Sequence, residues 1–336
     1  MKKRISAILA VMMCFSLLTA CRGSTPTPAP VPTPDASKEP AVSSTTVTWP
    51  TAPLQVIASG PAGGSIDTGA RMLAQYLEKE IDQAIVINAD ASIPQVTAAY
   101  EAAPDGNSVL FTMGHFLIFN ALGSIPFGLE DMQPCAIISE DVTFGLWVNA
   151  NSPYNTLEDL VSAMKEKPGE ISVGMLTSSY IHLASAAMLE AMGCEALLVD
   201  VGGDAARVTA LVGNQVDACI IPFAPAKPYA ESGDLRCLAI MNEQGKEVLP
   251  DAKTFVDLGY DFDFPTNHSA IYFPKGTDMK IVEEANAKII SALNNPEYQS
   301  KLAGNGCKPV LLDVAGTTAF LEDANEAFQA IAGAIK

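Results

Sequence analysis

The chain has 336 residues, 49% of them apolar and 17% charged, with 24 Gly and 23 Pro. That length supplies one large core or two ordinary ones, and the composition excludes a coiled coil, a collagen-like repeat and a disordered acidic tail. Lys plus Arg number 20 against 38 Asp plus Glu, a net charge of −18; with no basic stripe to neutralise phosphates, nucleic-acid binding is excluded.

The first twenty residues read as a signal segment. Lys2, Lys3 and Arg4 open it, Ile5 to Leu18 is apolar, and Leu18-Thr19-Ala20-Cys21 closes it. The run is too short for a membrane span, and a small residue before Cys21 suits cleavage. This ending resembles the lipobox of bacterial lipoproteins, in which Cys21 takes a diacylglyceryl thioether and becomes the new N-terminus. An ordinary secretory signal, or an uncleaved anchor, would leave Cys21 incidental. Losing the three basic residues with the leader takes the side-chain charge to −21. No later apolar run reaches about eighteen residues, so a protein held to a membrane rather than embedded in it is expected. Residues 21–48 form a tether, with Pro26, Pro28, Pro30, Pro32, Pro34 and Pro40 among Ser, Thr and Ala. Alternating Pro favours polyproline II, which at roughly 3.1 Å per residue reaches at most about 80 Å.

From Trp49 onward short apolar runs alternate with helical periodicity. Leu54 to Ser59 reads as a strand, followed by a Pro-Ala-Gly-Gly turn and a helix marked by Ala70, Leu73, Ala74 and Leu77. Ala84 to Asn88 is a second strand, Val96 to Ala103 a short helix, and Ser108 to Met113 a third strand. After a strand at Phe144 to Val148, a helix follows at Leu157 to Met164, a strand at Ile171 to Met175 and a helix at Ile181 to Met192. Ala196 to Val201, Ala205 to Val212 and Val216 to Ile221 continue as strand, helix, strand. Leu235 to Met241 and Ala270 to Phe273 are further strands, and 278–294 and 316–334 are closing helices. This rhythm argues for an α/β protein with parallel sheets. Two such units suggest lobe 1 over 49–140, lobe 2 over 141–238, and a return to lobe 1 over 239–336, hinged near Ile138–Asp141 and Leu238–Met241. One continuous doubly wound sheet is the alternative.

Beyond Cys21 the cysteines are Cys135, Cys194, Cys219, Cys237 and Cys307. Five is odd and no pair is spaced C-x-x-C, so buried thiols are expected rather than a disulfide framework or zinc site. A Cys219–Cys237 pair stays open. His115, His182 and His268 are the only histidines, and no metal or cofactor is expected.

Three turn-to-helix junctions stand out: Gly60 to Asp67, Leu176 to Tyr180, and Val201-Gly202-Gly203-Asp204. Glycines let backbone N–H groups approach a ligand, and helix starts attract negative charge. The hydroxyls of Thr177, Ser178 and Ser179 can cap a helix or bind a carboxylate, and Asp204 reads most simply as an N-cap. In an α/β chain, ligands gather at strand carboxyl ends, where these junctions fall. A Ser178, His182, Asp204 list can be written as a hydrolase triad. No G-x-S-x-G elbow supports it, and nucleophile and base on adjacent turns of one helix seldom reach attack geometry.

The sequence is similar to Bug-type receptors, the extracytoplasmic binding proteins of tripartite tricarboxylate transporters. The resemblance rests on Pro61-Ala62-Gly63-Gly64-Ser65-Ile66-Asp67 with Ala70-Arg71, then Pro104-Asp105-Gly106 and Ile125-Pro126-Phe127 with Asp131 and Pro134. Ser152-Pro153 with Thr156-Leu157, Lys167-Pro168-Gly169, Ser178 to Ala184 and Gly213-Asn214-Gln215-Val216-Asp217 continue the series. Gly233-Asp234-Leu235-Arg236 with Leu238-Ala239, Leu249-Pro250-Asp251 with Thr254, Gly259-Tyr260 and Pro274-Lys275-Gly276-Thr277 complete it, over roughly 49–336. The resemblance implies a two-lobed, type II-like periplasmic-binding-protein fold that closes on a small carboxylate and delivers it to a membrane permease. A receptor that presents the solute to a signalling partner is the alternative; a monomer is expected. Carried over by position, the ligand residues are Ala62, Gly63, Gly64, Ser65 and Asp67 on one lobe. Thr177, Ser178, Ser179, His182, Gly202, Gly203 and Asp204 lie on the other, with Thr112 and His115 at a strand end.

Two departures bear on the ligand. Ala89-Asp90-Ala91-Ser92-Ile93-Pro94 stands where the family usually has a Gly-rich segment, and Asp200-Val201-Gly202-Gly203 where it often has Pro-Tyr-Lys-Gly. If Asp200 faces the cleft, its repulsion of a second ligand carboxylate reaches a few kcal/mol at low effective dielectric, and an amino acid, or a monocarboxylate with a cationic or neutral tail, becomes as good a solute as citrate. The alternative is a solvated strand end. Distant surface charge is screened over about 8 Å, so dipoles at the helix starts decide the site.

Overall fold

A computed structural model describes residues 47–262 and 264–334. The signal segment, Cys21 and all but the last two residues of the tether lie outside the described residues. The chain begins with β1 (Leu54–Ala58), α1 (Ser65–Leu77), β2 (Ile85–Ala89), α2 (Ser92–Tyr100), β3 (Ser108–Met113), α3 (His115–Ala121) and β4 (Met132–Asp141). It continues through β5 (Phe144–Asn149), α4 (Leu157–Glu166), β6 (Ser172–Met175), α5 (Tyr180–Met192), β7 (Leu197–Asp200), α6 (Asp204–Val212), β8 (Ala218–Pro222), α7 (Phe223–Ser232) and β9 (Leu235–Ile240). A long connection then leads to β10 (Asn267–Pro274), α8 (Met279–Leu293), α9 (Pro296–Gly304), β11 (Cys307–Pro309) and α10 (Val314–Ala334).

The strands form two separate sheets among the described residues, ordered β11-β4-β10-β3-β1-β2 and β7-β6-β8-β5-β9. The same unit appears in both. β2-β1-β3 and β7-β6-β8 are parallel triplets joined by helices, as parallel pairing requires, and each is flanked by an antiparallel strand, β10 and β5 respectively. The sheets are therefore mixed rather than purely parallel. Strand direction was hidden because β5 and β10 are buried at every position, and a continuous apolar run reads alike in either direction. The chain leaves the first sheet after Asp141 through Val142 and Thr143, and returns along 241–266.

The helices follow their apolar stripes. In α1, Ile66, Ala70, Leu73 and Leu77 are buried at spacings of three and four, facing β1 and β3. α7 is unannounced by periodicity because it carries Pro225 and Pro228. Pro225 falls in the first turn, where an N–H has no intrahelical partner to lose, and Pro228 costs one interior bond. One continuous apolar core joins both sheets through α3, α4, α5 and α10. Within it Tyr180 of α5 meets Phe328 of α10 edge-on, with ring centroids 6.4 Å apart. Separate cores lie under α1, α8 and α9, and under α6 and α7.

The Cys219–Cys237 question closes here. Both residues pair with Trp147 of β5 from opposite sides, so two inter-strand spacings, about 9.6 Å, separate them, beyond disulfide reach. All five described cysteines are free; Cys135 and Cys219 are buried, and Cys194, Cys237 and Cys307 partly so. Burial pushes the Cys219 and Cys237 thiols up to about 12, leaving them protonated and inert at neutral pH.

Candidate functional site

The carboxyl ends of β1, β6 and β7 feed α1, α5 and α6, and all three helix starts border one cleft of about 490 Å³. The first sheet's side contributes Gly63 and Ser65; the second contributes Ser179, Tyr180, Gly203 and Asp204. Apolar walls come from Phe111 and Ile138 on one side and Phe144 and Ile181 on the other.

Each helix start is built differently. At α1, Gly64 is the N-cap without any side-chain cap, and Gly63 has φ +78°, a conformation that favours glycine. The Gly63 N–H donates to Asp67 Oδ2 at 2.8 Å, and Arg71 Nη2 meets Asp67 Oδ1 at 2.9 Å. Hydrogen bonds from Arg71 and then Gly63 hold the Asp67 carboxyl below its usual range. Asp67 is thus buried behind the turn, fastening it, and does not border the cleft.

At α5, Ser179 is the N-cap: its Oγ accepts from the His182 N–H at 3.3 Å and donates to the Leu176 carbonyl at 2.6 Å. Ser178 takes a left-handed φ of 55°, and its N–H donates to His182 Nδ1 at 3.2 Å. That bond uses the imidazole as an acceptor for the loop, which is not the arrangement of a nucleophile and its base. Asp200 sits exposed at the end of β7, outside the cleft wall. Its Oδ2 accepts from the Thr177 N–H at 3.0 Å and its Oδ1 from the Gly202 N–H at 3.1 Å. Hydrogen bonds from Thr177, with a smaller one from Gly202, keep this carboxyl below its usual range. Repulsion of a ligand by Asp200 therefore gives way to a structural role, the clip between the β6–α5 and β7–α6 loops.

At α6 the N-cap is Gly203, not Asp204. Asp204 is the first helical residue and forms an ion pair with Arg207 one turn on. The Asp204 side chain cannot cap the helix because the buried guanidinium, whose Nη1 also donates to the Gly202 carbonyl at 3.1 Å, takes it up. Arg207 Nε is buried without a partner.

Of the positions singled out from sequence, Gly63, Ser65, His115, Ser179, Gly203 and Asp204 border the cleft. Ala62, Gly64, Asp67, Thr112, Thr177, Ser178, His182 and Gly202 do not, although most shape the loops that do. Thr112 lies fully buried beneath the floor, accepting from Ser59 Oγ at 2.6 Å and donating to the Met113 carbonyl at 3.0 Å. Burial pushes His115 down to about 4, against the opposing pull of Asp204, so it is neutral at physiological pH.

Sequence reasoning passed over Arg207, Asp141 and Asn267, all on the cleft wall. Arg207 had a signal: with Val208 and Leu211 it falls on the buried stripe of α6, where a cation needs a partner. Asp141 ends β4, a strand that periodicity did not reveal. Its Oδ1 accepts from the Thr143 N–H at 2.9 Å and Oγ1 at 2.7 Å, and burial raises the carboxyl to about 6.

The profile of the tripartite tricarboxylate transporter family receptor, TctC, matches residues 69–336. Protein BugT of Bordetella pertussis is 29% identical over 284 residues, covering 82% of this chain and 87% of that one. The fold is similar to that of MatC from Rhodopseudomonas palustris with bound malate: TM-score 0.75, 20% identity, 84% of this chain and 100% of that one. An R. palustris protein with adipate gives a TM-score of 0.75 at 22% identity, covering 85% of this chain and 98% of that one. The periplasmic binding protein BugD gives 0.72 at 22%, covering 85% and 97%. Two sheets flanking a cleft bordered by helix starts, with a family profile spanning the head, therefore make this chain a member of the tripartite tricarboxylate transporter receptor family, a family of extracytoplasmic solute receptors and not of enzymes.

Proposed function

We propose that this receptor is a lipid-anchored protein that captures a small carboxylate solute between two lobes and hands it to a membrane permease. The observation that carries the reading is the convergence of three helix starts, from both sheets, on one cleft. The first N–H groups of a helix lack intrahelical acceptors and sit at the positive end of its dipole, so each start favours an anion by about 0.3–1 kcal/mol or more when partly buried. Gly203 leaves the backbone uncovered, since no Cβ stands between N–H and ligand. Similar folds with malate and adipate bound support a carboxylate as the shared chemistry.

The lobes are taken as 49–140 with 239–336, and 141–238. Anchoring through Cys21 puts the head outside the cytoplasm within reach of a permease, and the Cys21→Ala protein is expected in the soluble fraction rather than with membranes. The test of binding is a thermal-shift screen of the purified protein against mono-, di- and tricarboxylates and amino acids. A ligand at a hundred times its dissociation constant adds about 2.7 kcal/mol of stability. A shift with no carboxylate-bearing compound, in protein freed of co-purified ligand, would overturn the reading.

A further inference from the structure

The ionisable side chains on the cleft wall that carry charge at neutral pH are Asp141, Asp204 and Arg207. Arg207 is spoken for by Asp204, leaving Asp141 as the excess charge. A carboxylate on the helix starts alone would leave that buried anion uncompensated, a costly arrangement.

Asp141 does not stand alone. Asn267 of β10 and Cys307 of β11 pair with it directly across β4, which puts the three side chains on one face of the sheet, and all three border the cleft. Among the described residues only Thr143 donates to Asp141, and both bonds go to Oδ1. Asn267 is 6% exposed, and its Oδ1 is closed off beside Gly114 rather than open to the cleft. Asp141, nine-tenths buried, thus keeps its second carboxylate oxygen without a donor on the cleft wall. An ammonium group is the complement: three N–H donors and one positive charge. Hydrogen bonds from Thr143 oppose full neutralisation of Asp141.

We infer that the solute carries a protonated amine as well as its carboxylate, the amine received by Asp141 and the carboxylate by the helix starts. An amino-acid-like zwitterion meets the single excess negative charge of the wall, whereas a dicarboxylate brings two more. This inference rests on the reading of the cleft as a carboxylate site.

The test is isothermal titration of the purified protein with pairs that differ only in the amine: aspartate and succinate, glutamate and glutarate, leucine and 4-methylpentanoate, phenylalanine and 3-phenylpropanoate. In any pair that binds, the amino member is expected to bind at least tenfold more tightly. Asp141→Asn keeps the Thr143 bonds and is expected to cut that preference at least fivefold. Equal or tighter binding of the des-amino member, or a preference unchanged in Asp141→Asn, overturns the inference. Carboxylate binding without amine preference leaves the carboxylate reading standing; binding by no member of either series overturns both.

Discussion

Asp200 accepts a hydrogen bond from the Thr177 N–H at 3.0 Å while its other oxygen accepts from Gly202, so one exposed carboxylate ties together the loops that open α5 and α6. Those loops form one side of the cleft, and loosening them costs the preorganisation that binding needs. Asp200→Ala is therefore expected to weaken solute binding by roughly tenfold while changing stability by at most about 1 kcal/mol, given its exposure. Because its folded pKa lies below the ordinary value, the clip is intact at neutral pH and is lost only as pH falls through that lower value. Titration calorimetry at pH 7, beside a urea midpoint, separates the two effects; unchanged affinity would remove the clip from the binding account.

How much of this was legible in the sequence follows from what each signal encodes. The parallel βαβ units were legible because Gly and Pro punctuate them and their helices bury residues at spacings of three and four. β4, α7 and α9 were not. β4 is an apolar run with Pro134 inside, α7 is broken by two prolines, and α9 has only two buried residues, Tyr298 and Leu302. The helix starts of the site were legible through Gly63, Ser179 and Gly203, since backbone exposure needs such residues. Asp141 and Asn267 were not, because their juxtaposition depends on the register of β4 against β10, which joins residues 126 positions apart. Asp204 misled for a similar reason: N-cap preference is local, whereas the pull of Arg207 depends on which face of α6 is buried.

The Asp204–Arg207 pair is asymmetric, with the Arg207 side chain 2% exposed and that of Asp204 41%. Removing the exposed partner strands a buried cation; removing the buried one leaves an anion that water can reach. Asp204→Asn is expected to cost about 2–4 kcal/mol, and Arg207→Met, which keeps most of the apolar stem, less than about 2 kcal/mol. Urea midpoints of the two variants decide it. Equal losses, or the reverse order, would mean that another group compensates Arg207.

Two buried imidazoles set the acid limb of stability. Burial holds His115 and His268 at about 4, below the unfolded value near 6.5, so the unfolded chain takes up protons first. Stability is then lost as pH falls from about 6.5 toward 4, by up to roughly 3 kcal/mol for each histidine. Asp141 works in the other direction. Its folded pKa of about 6 lies above the unfolded value, so its contribution improves as pH falls through 6 and its charge is a burden above that. Chemical denaturation between pH 4.5 and 8 is expected to show Asp141→Asn more stable than wild type at pH 8, with the advantage vanishing toward pH 4.5. His268→Phe, which keeps the contact with Phe320, is expected to flatten the acid limb.

Closure of the cleft needs a pivot, and the chain passes between the sheets first through two residues, Val142 and Thr143, and then along 241–266. The first crossing is held on both sides: Thr143 donates to Asp141, and its carbonyl accepts from the Phe223 N–H at 3.1 Å. Movement about it brings Ser65 at the start of α1 toward Gly203 at the start of α6, since these border the cleft from opposite sheets. The double variant Ser65→Cys with Gly203→Cys is suited to report this. Gly203 has open space around a Cβ, and the native thiols at 219 and 237 are protonated and slow to interfere. A solute that binds is expected to accelerate formation of the engineered disulfide and to lower the radius of gyration in X-ray scattering. Identical cross-linking rates and scattering with and without bound solute would exclude a hinge here and leave a rigid, preformed site.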